Sequence, residues 1–289
     1  MSTGPQEFRE DFGAGEICRF EWGDASGHPI LLLHATGFHA RCWDQVVAHL
    51  PQDRRIVAVD LPGHGRSYKP DSLSDWVAVS DSIASLVDGL DLRSAIGVGH
   101  SMGGFCLVQL AAKMPDRFVR LVLVDPVLMP PEMYHAPRIW PYEDPSEHPV
   151  ARRRDRFASP EEMAAHFRDR SPYNLWQPAV LEDYCRHGLL PAEDGDGYKL
   201  ACPPRLEASM YMGSSGNNPY DAVAKIETPV TVLRAPQKPR GERMDFTNSP
   251  TWPKLADAFV HGRDVYLSQF THFMPMEDPE RIAMLIMED

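Results

Sequence analysis

Short apolar runs alternate with segments of helical periodicity along most of this chain. Six runs are apolar on both faces, which is typical of strands buried in a parallel sheet: residues 30–33, 55–60, 95–99, 121–125, 230–233 and 264–267. An amphipathic helix is indicated by apolar side chains at three- and four-residue spacing: Trp76, Val79, Ile83, Leu86 and Leu90. Residues 8–21 predict a β-hairpin that turns at residues 13–15. Together these patterns predict an α/β fold with a doubly wound, mostly parallel sheet.

The alternation stops after Asp125 and resumes near Val230. The residues between are rich in proline, methionine and aromatic side chains and contain no comparable buried strand, with helices expected at 160–170 and 178–188. A structureless loop of this length is improbable in a compact domain. We therefore expect a helical lid inserted at residues 127–226, between core segments at residues 1–126 and 227–289. Most of its apolar side chains should form its own small core, and a minority should line a pocket.

Composition narrows the class of protein. Of the 289 residues, 43% are hydrophobic and 24% are charged, which is close to the average of globular proteins. The formal net charge of −12 argues against nucleic acid as a partner, because phosphate binding needs a basic surface. No apolar stretch approaches the ~18 residues that span a bilayer, and no signal peptide is recognisable. The five cysteines form no Cys-x-x-Cys pair, so we expect no disulfide framework, no zinc site and a cytoplasmic location.

The strongest chemical signal is the pentapeptide from Gly99 to Gly103, which has Ser101 at its centre. It lies between the predicted strand at 95–99 and a predicted helix at 105–114. A serine on a sharp strand-to-helix turn needs small neighbours, because the backbone is strained and the helix passes close to the strand. The turn exposes the hydroxyl and aims N–H groups of the helix at the group that the serine attacks. The sequence therefore predicts Ser101 as a nucleophile.

A serine hydroxyl is a weak nucleophile at neutral pH, so Ser101 needs a general base. Of the twelve histidines, His272 is the best candidate, because it follows the last predicted strand by five residues and precedes a predicted C-terminal helix. His34 and His64 also lie near strand ends, and we expect their imidazoles to bind loop backbone. His100, next to the nucleophile, is expected to pack rather than to react.

The oxygen of an attacked carbonyl becomes negatively charged and needs hydrogen-bond donors. The backbone N–H of Met102, directly after the nucleophile, is the first predicted donor. The second is expected in the loop after the strand at 30–33, where the sequence is His-Ala-Thr-Gly-Phe, and Thr36 is the predicted residue. An ordinary strand-to-helix loop is the alternative interpretation of this segment.

These features together resemble the α/β-hydrolase superfamily over nearly the whole chain. The resemblance is carried by the loop from His34 to Phe38 with Trp43 after it, the segment from Asp60 to Ser67, the turn at Ser101, and Thr271-His272-Phe273. The His-Ala-Thr-Gly-Phe loop is similar to that of a subgroup of bacterial hydrolases. The resemblance implies a triad in the chain order serine, acid, histidine. It disfavours haloalkane dehalogenases and epoxide hydrolases, whose nucleophile is an aspartate.

The acid of this triad is the open point. In most of the superfamily it follows the strand that lies here at 230–233, where the nearest carboxylates are Glu242 and Asp245. A minority, including some haloalkane dehalogenases, carries the acid at the end of the preceding strand, where this chain has Asp125. An aspartate there can hold the outer nitrogen of the histidine and stabilise the imidazolium. Position favours Asp125, with Asp245 as the alternative acid and a turn cap before Pro126 as the alternative role of Asp125.

We therefore expect a serine hydrolase, independent of cofactor and metal, that cleaves a small carboxylic ester or lactone through an acyl-enzyme. The aromatic-rich insertion would form an apolar pocket, with four candidate substrate contacts: Phe38, Met129, Trp140 and Trp176. C–C bond hydrolysis, acyl transfer or perhydrolysis by the same triad stay open, as does a non-catalytic small-molecule receptor on the same fold. No membrane partner is expected, and the sequence leaves open whether the chain forms a homo-oligomer.

Overall fold

The computed structural model describes residues 4–135, 140–214, 216–238 and 245–288. Within these ranges lie eleven strands: β1 (Gln6–Asp11), β2 (Glu16–Gly23), β3 (Pro29–Leu33), β4 (Arg55–Val59), β5 (Ala95–His100), β6 (Phe118–Val124), β7 (Arg156–Phe157), β8 (Leu189–Pro191), β9 (Tyr198–Leu200), β10 (Val230–Arg234) and β11 (Gly262–Tyr266). Eight of them form the central sheet, in the order β1-β2-β4-β3-β5-β6-β10-β11. Strand β2 is antiparallel to β1 and β4, and all the other pairs are parallel. The predicted doubly wound, mostly parallel sheet is confirmed.

The middle of the sheet is apolar on both faces. Strand β3 is buried along its whole length, and its Leu31 aligns with Val57 of β4 and Gly97 of β5. Because parallel strands are covered by helices on both sides, such strands have no polar face to expose. Since β3, β5, β6 and β10 are parallel neighbours, their carboxyl ends meet at one edge of the sheet.

The same ranges contain nine α-helices: α1 (Asp44–Val47), α2 (Trp76–Gly89), α3 (Met102–Lys113), α4 (Pro160–Phe167), α5 (Pro178–His187), α6 (Pro204–Met212), α7 (Tyr220–Val223), α8 (Met274–Glu277) and α9 (Pro279–Met287). Helices α2 and α3 share one core cluster with one face of the sheet, and α1 and α9 share another with the opposite face. The predicted amphipathic helix is α2, which begins after Asp75, whose carboxylate accepts the N–H groups of Val77 and Ala78. Within the described ranges, every helix is too short or too polar to span a bilayer.

The insertion, defined here as residues 127–226, leaves the sheet after β6 and returns before β10. Helices α4 and α5 lie where helical stretches were expected, and α6 and α7 follow. The insertion also contains strands that were not predicted, because β7, β9 and β8 form a small antiparallel sheet in that order. These strands are two or three residues long, which is too short to produce a periodic pattern in the sequence.

A third apolar cluster joins the insertion to the core. It contains Trp176, Leu181 and Tyr184 of the insertion together with Phe38, from the loop after β3, and Phe273, from the loop after β11. The insertion therefore packs directly on the two loops that carry Thr36 and His272.

Candidate active site

Ser101 occupies the turn between β5 and α3. Its φ of 56° and ψ of −118° lie in a region that side-chain-bearing residues rarely adopt. The turn is feasible because glycines stand two positions before and two positions after Ser101. An added Cβ at Gly99 would lie 2.4 Å from the carbonyl oxygen of Gly103, and an added Cβ at Gly103 would lie 2.4 Å from the carbonyl oxygen of Leu33. The close approach of α3 to β3 and β5 thus explains why small residues flank the serine.

The structure brings Ser101, His272 and Asp125 into one hydrogen-bonded chain. The hydroxyl oxygen of Ser101 lies 3.0 Å from His272 Nε2, and His272 Nδ1 lies 2.6 Å from Asp125 Oδ2. A carboxylate only accepts hydrogen bonds, so the Nδ1–H of His272 donates to it and Nε2 is left to accept the serine proton. Ser101, His272 and Asp125 are 6%, 8% and 0% exposed, so this chain of bonds is shielded from water.

Asp125 reaches His272 because of the register between β6 and β10. Val124, the last residue of β6, pairs with Leu233, and the Asp125 N–H donates to the Leu233 carbonyl at 2.7 Å. The Asp125 backbone then turns with a φ of 42°. The Ala235 N–H donates to Asp125 Oδ1 at 2.9 Å, which leaves Oδ2 facing the histidine.

Asp245, the alternative acid, lies in a turn of its own. Its carboxylate accepts the backbone N–H and the hydroxyl of Thr247, at 2.9 and 2.6 Å. The side-chain hydrogen bond from Thr247 lowers the pKa of Asp245. Its side chain is 50% exposed, and Lys238 Nζ lies 3.9 Å from it. The structure therefore places Asp245 against Thr247 rather than His272, while Glu242 lies outside the described residues.

The two predicted oxyanion donors lie at the start of α3 and in the loop after β3. Met102 is the first residue of α3, so its N–H has no acceptor within the helix. Neither this N–H nor that of Thr36 has an acceptor anywhere in the described part of the chain. The Thr36 hydroxyl lies 3.3 Å from the Met102 sulfur, which links the loop after β3 to the start of α3.

His34 and His64 fix the loop that carries Thr36. His34 Nδ1–H donates to the Ala35 carbonyl and Nε2 accepts the Leu61 N–H, at 2.8 and 3.0 Å. His64 Nε2 accepts the Gly37 N–H at 3.0 Å. Burial lowers the pKa of His34 to about 4 and that of His64 well below its ordinary value. Both imidazoles are therefore neutral at neutral pH, which is the state in which one nitrogen can accept.

His100 is bonded to the backbone of the proposed base. Its Nε2–H donates to the His272 carbonyl at 2.9 Å, and the two rings lie 5.0 Å apart. The side chain is fully buried, and burial lowers its pKa well below the ordinary value. His100 therefore packs, as predicted, but it also ties the strand that carries Ser101 to the loop that carries His272.

The four predicted substrate contacts divide into two groups. Phe38 and Trp176 lie together, with ring centroids 5.7 Å apart, and both rings contact Phe273, next to His272. The other two have different partners. Met129 is held through its backbone by the hydroxyls of Tyr134 and Tyr220, and Trp140 donates to the Ser214 hydroxyl at 3.3 Å and packs on His148. Within the described residues, the first pair contacts Phe273 beside His272, and the second pair contacts other partners.

A partly buried ion pair of the insertion, in which Glu207 is the buried partner, lies against the Thr36 loop. Arg153 donates to Glu207 Oε2 at 2.8 Å and to the Tyr184 hydroxyl at 3.1 Å. Burial raises the pKa of Glu207. An added Cβ at Gly37 would lie 2.4 Å from Glu207 Oε1, and a cavity beside Gly37 and Arg153 has room for about one water molecule. This pair was not predicted from the sequence, because its partners are 54 residues apart.

One group of potential metal ligands occurs among the described residues: Asp44, Asp183 and His187, with ligand atoms within 4.8 Å of one another. The guanidinium of Arg41 already binds both carboxylate oxygens of Asp44, because Nε donates to Oδ1 at 2.8 Å and Nη2 donates to Oδ2 at 2.5 Å. Gln45 donates to Asp183 at 2.7 Å. Protein donors therefore already engage both carboxylates of this group.

Comparison with known proteins agrees with this fold. The sequence profile of the alpha/beta hydrolase family matches residues 30–285, and the chain belongs to this family. Among solved structures, E-2-(acetamidomethylene)succinate hydrolase superposes with a TM-score of 0.78 at 22% identity, covering 98% of this chain and 97% of the other. At this level of identity the likeness shows the shared fold alone.

Curated relatives match a part of the chain. The dihydrolipoyllysine-residue acetyltransferase component of the acetoin cleaving system of Pseudomonas putida is 35% identical over 124 residues, which are 43% of this chain and 34% of that protein. An esterase of Mycobacterium tuberculosis is 37% identical over 124 residues, 43% of this chain and 41% of the esterase. The matches thus span less than half of the length of these two relatives.

Proposed function

We propose that this chain is a cofactor-independent serine hydrolase that cleaves a carboxylic ester or lactone through an acyl-enzyme. The observation that carries the proposal is the hydrogen-bond sequence from Ser101 through His272 to Asp125. The backbone N–H groups of Met102 and Thr36, which have no acceptor in the described ranges, add to it. A hydroxyl, a base and an oriented carboxylate in this order form the arrangement that activates serine in acyl transfer. The similarity to an esterase supports the same chemistry.

The reaction begins when Ser101 Oγ attacks the carbonyl carbon and His272 Nε2 takes the hydroxyl proton. The N–H groups of Met102 and Thr36 bind the oxygen that becomes negative, and Asp125 stabilises the imidazolium. His272 then protonates the leaving alkoxide, which departs and leaves the acyl group on Ser101. Water, deprotonated by His272, attacks the acyl-enzyme, and His272 returns the proton to Ser101 as the acid leaves.

The insertion serves in this proposal as a lid over the site. Phe38, Trp176 and Phe273 supply an apolar wall next to His272, which suits a small or medium acyl or aryl group. The low exposure of Ser101 and His272 supports a site that excludes bulk water during the reaction.

The test compares wild type with Ser101→Ala on p-nitrophenyl esters of graded acyl length and on several lactones. Wild type should turn over at least one ester and react covalently with a fluorophosphonate at Ser101, while Ser101→Ala should do neither. Equal melting temperatures would show that the substitution left the fold intact. A folded wild type that the fluorophosphonate does not modify would overturn the proposal, and a single slow turnover would instead favour a receptor.

A further inference from the structure

The second oxygen of Asp125 is held by the segment between β10 and β11. While Oδ2 faces His272, Oδ1 accepts the Ala235 N–H at 2.9 Å and the Ser249 hydroxyl at 2.7 Å. Ser249 is 4% exposed and Asp125 is fully buried, so water does not compete for this contact. In sequence the two residues are 124 positions apart.

The direction of the Ser249 bond follows from its other partner. The Thr251 N–H donates to Ser249 Oγ at 3.2 Å, so the hydroxyl accepts there and directs its own proton toward Asp125. The Thr251 hydroxyl also lies 3.2 Å from Asp125 Oδ1, but the Pro126 carbonyl is closer, at 2.8 Å. A hydroxyl has one proton to donate, so the Thr251 hydroxyl donates to the closer acceptor, the Pro126 carbonyl. Ser249 is therefore the side chain that donates to the carboxylate.

This contact has a consequence for His272. A buried carboxylate bound at one oxygen by two donors cannot rotate freely, so its other oxygen stays directed at His272 Nδ1. Without the Ser249 hydroxyl, Oδ1 would keep one close donor, the Ala235 N–H, and the carboxylate could turn toward it. The orientation of the imidazole toward Ser101 would then be less well defined.

We propose that Ser249 is a positioning residue for the reaction, acting on His272 through Asp125; this inference rests on the proposed function. It places the support of the acid in the loop after β10, although the acid itself lies at the end of β6. A purely structural role would lower the melting temperature and leave the catalytic constants unchanged.

The matched control for Ser249→Ala is Thr247→Val. Thr247 lies in the same segment and is 8% exposed, but its hydroxyl donates to Asp245 at 2.6 Å. We expect Ser249→Ala to lower kcat and the rate of fluorophosphonate modification by about 10- to 100-fold, the range of a charge-assisted hydrogen bond, with little change in KM. Thr247→Val should stay near wild type, and Ser249→Thr, which keeps a hydroxyl, should recover part of kcat.

A second readout does not depend on turnover. The proton between His272 Nδ1 and Asp125 Oδ2 should give a low-field proton resonance that moves in Ser249→Ala and not in Thr247→Val. Equal kcat and an unmoved resonance in folded Ser249→Ala would overturn the inference while leaving the proposed function intact. Loss of the proposed function would show separately, as covalent modification that persists in Ser101→Ala.

Discussion

At the scale of single residues, we predict effects of different size on kcat for substitutions of Asp125 and of Asp245. We expect Asp125→Asn to lower kcat by about 10⁴-fold, because an amide facing His272 Nδ1 favours the wrong tautomer and does not stabilise the imidazolium. Asp245→Asn should change kcat less than about tenfold, because that side chain bonds to Thr247. Steady-state kinetics on one ester substrate measure both effects.

Thermal melts must accompany these kinetics, because Asp125 is fully buried and bonded to several partners. Asn keeps the size of the side chain and an acceptor oxygen for the Ala235 N–H, so we expect the folded state to persist. The converse result, a severe loss in Asp245→Asn and a mild one in Asp125→Asn, would move the acid to the later loop.

The sequence could predict the nucleophile and the base more directly than the acid. Ser101 is marked by the local need for glycine on both sides of a strained turn, and that need is visible in five consecutive residues. The geometry at Asp125 depends instead on the register of β6 against β10 and on Ser249, a contact across 124 positions. No local pattern contains that information, which is why the sequence left Asp245 open.

At the scale of elements, the turn between β5 and α3 depends on the absence of a side chain at Gly103. A Cβ there would lie 2.4 Å from the Leu33 carbonyl oxygen and 2.7 Å from that of His34, and backbone atoms cannot move aside as a flexible side chain can. Gly103→Ala should therefore lower the free energy of unfolding by about 1–3 kcal/mol or more. It should also displace α3, and with it the Met102 N–H.

Chemical denaturation measures this loss, and Gly216→Ala provides the control. An added Cβ at Gly216 has one close contact, at 3.3 Å from the Gly213 carbonyl oxygen. A Gly103→Ala variant that matches wild type in stability and in turnover of the test ester would show that α3 can shift without consequence.

Elements differed in how well the sequence predicted them. The central strands and α2 were recognisable because apolar runs or helical spacing persist over at least one buried face. The small sheet of β7, β9 and β8 was missed because each strand pairs over two or three residues. Its position depends on the packing of the insertion and not on a local pattern.

At the scale of the whole molecule, buried neutral histidines should make stability depend on pH. Burial lowers the pKa of His34 to about 4 and that of His39 to about 3, and it lowers those of His64 and His100 well below their ordinary value of 6.5. Between pH 6.5 and the lowered values, the unfolded chain binds more protons than the folded chain. The free energy of unfolding should therefore fall as the pH decreases through this window.

Buried carboxyl groups with a raised pKa have the opposite effect on the free energy of unfolding, because the folded chain then binds the extra proton. Burial raises the pKa of four such groups: Asp44 (to about 6), Asp183, Glu207 and Glu277. The lowered pKa values of His34 and His39 lie below the whole range from pH 6.5 to pH 4.5, so these imidazoles act throughout it and we expect a net loss of stability there. Denaturant titrations across this range measure the loss of stability.

His64→Gln, whose side chain can still accept the Gly37 N–H, should reduce the pH dependence of the free energy of unfolding by up to about 1.4 kcal/mol per pH unit. A wild type whose stability is constant or rises on acidification, or a His64→Gln variant with an unchanged slope, would contradict the assignment of these imidazoles as buried and neutral.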